Sequence, residues 1–185
     1  MPDAARVSLP GVRTPDAGFD APFEMLGACH ERVSRSLGLL RRLVDHLGLQ
    51  GCDEQARTAA RDVWRYFEIA APAHHADEEL HVLPRLLHCG DPLLVEAAEQ
   101  IHADHRQLEA LWERLGPRLQ ALSEDPVAWD RSMLGPLAEL ADAFIAIHDR
   151  HVPQEDQLVF PAAAARVDAF ELREMGLEMA ARRRQ

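Results

Sequence analysis

From Phe23 onward, apolar residues recur at alternating steps of three and four. Phe23, Leu26, His30, Val33, Leu37, Leu40, Val44 and Leu47 fall on one face of a helix predicted over about 22–47. Gly48 and Gly51 are placed to stop it. A second helix is predicted from Asp53, a side chain suited to the N-cap, to about Cys89, where Gly90 closes it. Pro72 and Pro84 interrupt that stretch, and a kink or break is expected at each. A third helix opens on Asp91-Pro92, with Leu94, Ala98, Ile101, His105, Leu108, Trp112, Leu115, Leu119 and Leu122 along its seam. Ser123 to Pro126 reads as a loop. The fourth helix runs to about Phe160, and its seam is Leu137, Ala141, Phe144, His148, His151, Glu155 and Leu158. A fifth, from about Asp168 to Arg183, is expected to pack on the outside.

These elements predict an all-α fold: an up-down-up-down four-helix bundle with an additional C-terminal helix and a loose N-terminal tail. The expected division is 1–20 for the tail, 21–165 for the bundle and 166–185 for the last helix. Composition supports this choice. Val, Ile and Thr total only 17 of 185 residues, too few β-branched side chains for an all-β fold. The net charge of −11 argues against a general nucleic-acid binder. No apolar run is long enough to span a membrane, and the N-terminus lacks the apolar stretch of a signal peptide, so a soluble cytoplasmic protein is expected. Cys29, Cys52 and Cys89 form no CxxC pair and suggest neither a disulfide framework nor a zinc ribbon.

Ten histidines change the picture. Several intrude on otherwise apolar seams, and they do so twice. The first helix offers His30 and the third His105. The second carries His74-x-x-x-Glu78 with Pro84 six residues after the Glu; the fourth carries His151-x-x-x-Glu155 with Pro161 at the same distance. Residues four apart share a helix face. Two helical hairpins thus each aim two imidazoles and one carboxylate at a common point. Two carboxylates in an apolar interior cost several kcal/mol unless compensated. Imidazole and carboxylate together suit iron, manganese or zinc, and six ligands exceed the needs of one tetrahedral zinc. The set fits two metals, each with two His, sharing both Glu as bridges.

Neighbouring residues leave alternatives open. His75 and Glu79 could replace His74 and Glu78 by a shift of one residue, although the second half has Val152 at the place of His75. Asp156 follows Glu155, and Pro153 could distort the helix enough to exchange them. His102 and His148 lie near the seams, as ligands or as supports for ligands. His46, His81 and His88 lack partners in this scheme. The Trp and Phe residues at seam spacing are expected in the core, and Arg182 to Arg184 as a solvated helix end.

The pattern resembles the hemerythrin-like HHE cation-binding family. The carriers are His30 in ACHER, His74-His75-Ala76-Asp77-Glu78-Glu79 with Val82-Leu83-Pro84, His105 in ADHRQL, and the stretch from His151 to Pro161. The resemblance implies a four-helix bundle holding two iron ions, carboxylate-bridged and with an oxo or hydroxo bridge. Residue by residue, its ligands are His30, His74, Glu78, His105, His151 and Glu155. It implies a small gaseous ligand, dioxygen or nitric oxide, or iron itself, bound for sensing, storage or stress protection. The alternatives are a di-iron enzyme reducing peroxide or dioxygen, iron donation to damaged iron centres, and a metal-locked interaction domain with a protein partner. Oxygen carriers of the family place a second His four residues after the third-helix His, where this chain has Glu109, and an Asp five residues after the fourth-helix His, here Asp156. These departures favour the branch with four His and two Glu.

Overall fold

The computed structural model describes residues 18–125 and 129–184. The expected tail therefore lies outside the described residues up to position 17. All regular structure among the described residues is helical: α1 (Pro22–Gln50), α2 (Glu54–Asp77), α3 (Leu83–Leu87), α4 (Pro92–Glu124), α5 (Leu134–Gln154), α6 (Phe160–Ala164) and α7 (Ala169–Arg182). A short 3-10 turn at Arg131–Met133 leads into α5. The long helices pack in a ring, α1 on α2, α2 on α4, α4 on α5 and α5 on α1, while α7 lies against α1.

Local chemistry sets the helix ends. Asp53 and Asp91 accept hydrogen bonds from Ala56 N–H and Leu93 N–H, and Pro92 occupies a first-turn position where a missing N–H costs nothing. Gly51 and Gly90, both at φ 79°, follow the helices they terminate. Asp168 and Glu171 form a reciprocal capping box on α7.

The expected breaks take a specific form. Pro72 is absorbed within α2. In both halves, however, the α-helix gives way to a single wide turn of π-helix that begins at the seam Glu: Glu78–Val82 and Glu155–Val159. Each is closed by a bond spanning five residues, Leu83 N–H to the Glu78 carbonyl and Phe160 N–H to the Glu155 carbonyl. The next residue is the proline, Pro84 or Pro161, which has no N–H and whose ring would collide with the carbonyl four residues back. Widening the turn relieves both problems.

Two separate apolar clusters result. One holds Leu40, Leu47, Val63, Leu115, Leu119 and Leu137. The other holds Leu26, Val82, Leu86, Ile101, Val159 and Met179, so α7 completes it. The buried His30, His74, His105, His151, Glu78 and Glu155 occupy the layer between. Gly176 of α7 is where that helix meets the chain before α1. A Cβ there would strike the Phe19 backbone carbonyl and approach Pro22 Cγ to 3.3 Å. Gly176→Ala is therefore expected to destabilise the protein by about 1–3 kcal/mol, since backbone has little room to give. Chemical denaturation checks this; a variant as stable as the wild type would mean α7 is not held against Phe19.

The C-terminal arginines correct one expectation. Arg182 and Arg183 do not form a solvated end: both reach Asp77, at 2.6 Å each. Asp77 is fully buried and directly precedes Glu78.

Candidate metal centre

The bundle brings six sequence-predicted residues together in its polar layer. His30, His74, His105, His151, Glu78 and Glu155 are all at most 5% exposed. Glu78 turns one oxygen to each hairpin, with Oε1 3.1 Å from His74 Nε2 and Oε2 3.4 Å from His105 Nε2. Glu155 Oε2 lies 3.2 Å from His30 Nε2 and 3.1 Å from His151 Nε2. Each carboxylate thus joins a His of its own hairpin to a His of the other.

The donors fall into overlapping sets whose ligand atoms lie within 4.8 Å of one another. One is His30, His74, Glu78 and Glu155; another is Glu78, His105, His151 and Glu155. A third is His75, His105 and His151. His75 stacks on His105 with ring centroids 4.1 Å apart. The first two sets hold the six residues of the hairpin repeat, and the third adds His75 beside His105 and His151.

Charge and hydrogen bonding fit a cation. Neither oxygen of Glu78 or Glu155, nor His105 Nε2, has a hydrogen-bond partner among the described residues, although all are sealed from solvent. Orphaned buried acceptors of this kind are rare without an ion or proton to satisfy them. The Nε2 atoms of His30 and His74 face each other at 3.1 Å, a contact that requires a proton or a metal between two lone pairs. Burial alone would push His30 and His151 down, yet the Glu155 carboxylate outweighs it and holds them at about 9 and about 10. Burial, reinforced by the Glu155 charge, pushes Glu78 well above the usual carboxylate range. Burial, with the charge of neighbouring imidazoles, pushes His74, His75 and His105 below their ordinary range.

Outer carboxylates fix the rings. His30 Nδ1 donates to Asp156 at 2.8 Å and His105 Nδ1 to Glu79 at 3.0 Å. These two acids follow the seam glutamates in each half, and each supports the opposite hairpin's His. Asp104, fully buried, stands 3.6 Å from His151 Nδ1 and pairs with Arg150. Such partners orient a ligating imidazole and raise its basicity. Sequence reasoning missed Asp104 and Asp77; their one signal is adjacency to His105 and Glu78.

The other candidates lie apart. His102 is more than half exposed, 4.0 Å from Glu79. His148 is buried but joins none of the donor sets; its Nδ1 donates to the Phe144 carbonyl at 2.9 Å. His46 pairs with Asp53 and His81 with Glu178.

Burial pushes His148 from its ordinary 6.5 down to about 4, only partly offset by the bond to Phe144. Between those values the unfolded chain binds a proton that the folded chain refuses, so this residue removes stability as pH falls. His148→Phe abolishes that loss. Between pH 7.5 and pH 5, the stability of the variant relative to wild type is expected to rise by about 2 kcal/mol. Denaturant titrations at the two pH values check it, and an unchanged difference would show that the ring protonates freely.

Comparison with known proteins agrees with this geometry. The hemerythrin HHE cation-binding domain model matches residues 21–163, and the chain belongs to that family. An uncharacterized protein of Haemophilus influenzae is 33% identical over 168 residues, covering 90% of this chain and 92% of its own. No solved structure gives a significant match. Among the described residues, no helix is long and apolar enough to cross a membrane.

Proposed function

We propose that this metal-binding, hemerythrin-like protein holds two iron ions that share Glu78 and Glu155 and binds dioxygen or nitric oxide for sensing, storage or stress protection. One observation carries the reading: two fully buried carboxylates, without hydrogen-bond partners among the described residues, each stand between imidazoles of both hairpins. His30 and His74 serve the first ion; His75, His105 and His151 serve the second. The mixed nitrogen and oxygen donors suit iron, with manganese or zinc as competitors. When bound, the iron pair supplies electrons and open coordination positions for a small gaseous ligand. The protein's own part is to hold the rings and exclude water. Asp156 and Glu79 fix His30 and His105 in the tautomer that leaves Nε2 free. The apolar clusters on either side keep bulk water away. Three free cysteines are in keeping with a reducing cytoplasm.

The test is the optical spectrum of reduced, iron-loaded protein mixed with oxygen. A persistent visible band supports binding. Rapid bleaching with peroxide turnover supports an enzyme instead, and zinc at full stoichiometry with no band supports a structural metal.

A further inference from the structure

A chamber of about 270 Å³ opens on the His75 side of the donor cluster, and the function proposed above makes no use of it. Phe67, Trp112 and Phe144 form its walls, with ring centroids 4.9–5.7 Å apart. The Trp112 indole N–H is already donated to Glu68 at 2.9 Å, so the ring offers the chamber only its apolar surface. His75 and His148 also line it. Glu79, Arg106 and Glu109 stand around it, and Arg106 pairs with both acids.

Three properties define what fits. A cavity of roughly 150 Å³ holds benzene, so this one takes a substituted or fused ring. The aromatic walls favour a flat apolar guest through edge-to-face and offset contacts. His148 commits its Nδ1–H to the Phe144 carbonyl; in that tautomer Nε2 carries a lone pair, and among the described residues no hydrogen bond reaches it. A guest with one hydroxyl would satisfy that acceptor. Two acids against one arginine disfavour an anion.

We propose that this chamber binds a neutral, phenol-like aromatic molecule. Its ring lies among Phe67, Trp112 and Phe144, its hydroxyl donates to His148, and its edge rests beside His75. The guest is then a substrate or effector of the centre, a role that rests on the metal reading. The binding site itself does not.

The experiment titrates p-cresol, toluene and benzoate into iron-loaded and metal-stripped full-length protein, read by ligand-observed NMR. Saturable binding of one p-cresol per chain is expected in both forms, with toluene about tenfold weaker and benzoate absent. Ala71→Phe, which fills the chamber from α2, should abolish binding with iron content unchanged. Trp112→Ala should weaken it about tenfold. No p-cresol binding to folded protein, or binding that survives both substitutions, overturns the proposal. Equal binding of toluene overturns the hydrogen bond to His148, and binding of benzoate overturns the charge argument. If p-cresol binds a chain that takes up no iron, the chamber stands and the metal reading falls; iron uptake without p-cresol binding does the reverse.

Discussion

Glu155→Ala is expected to reduce bound iron from about two ions per chain to less than one. Glu155 belongs to both donor sets that contain carboxylates, and its Oε2 lies within 3.2 Å of Nε2 in both His30 and His151. On the proposed function, removing it would take a ligand from each ion and remove a buried negative charge from the layer. Even the loss of an outer hydrogen-bond partner commonly costs 10–100-fold in metal affinity, so a shared ligand costs more. Glu78→Ala should behave alike. His75→Ala should be milder: His105, His151 and both glutamates still make a four-donor set, so at most one of the two ions should be weakened. His46→Ala, whose ring pairs with Asp53 at the far end of α1, should leave the count alone. Elemental analysis of desalted, iron-loaded protein measures all four. Iron content unchanged in both glutamate variants would remove those residues from the site.

Arg182→Ala combined with Arg183→Ala is expected to cost about 3 kcal/mol or more. Burial pushes the Asp77 carboxyl above its ordinary range even while Arg183 and Arg182 pull it down. Removing both arginines leaves a sealed charge without partners, the situation in which breaking a buried pair is most damaging. Asp77→Asn added to the double variant should recover much of the loss, because the stranded charge is gone. Denaturation curves of the three proteins decide. A double variant of wild-type stability, or no recovery with Asp77→Asn, would show that the arginines do not compensate Asp77.

The elements were largely legible because the seams, caps and stop glycines all point the same way. The hairpin repeat exposed His30, His74, Glu78, His105, His151 and Glu155, since a polar side chain on an apolar seam needs a reason. His75 resisted the same logic. Its counterpart is Val152, and repeat symmetry hides any residue that breaks the symmetry. In the fold, adjacent positions on α2 straddle the midline, so His74 and His75 reach different donor sets. The π turns were legible only as prolines: the Glu-to-Pro spacing was visible, but not the five-residue hydrogen bond that accommodates it. The terminal arginines read as a solvated helix end and Asp77 and Asp104 were given no role, because sequence alone does not show which helix end folds back onto the bundle.

Two ions are expected in this layer, divided between unequal sets of imidazoles. Anomalous diffraction at the iron edge, on crystals of iron-loaded protein, tests this directly. Two peaks should flank the Glu78 and Glu155 carboxylates, one beside His30 and His74 and the other beside His75, His105 and His151. A single peak, or iron bound outside this layer, would contradict it.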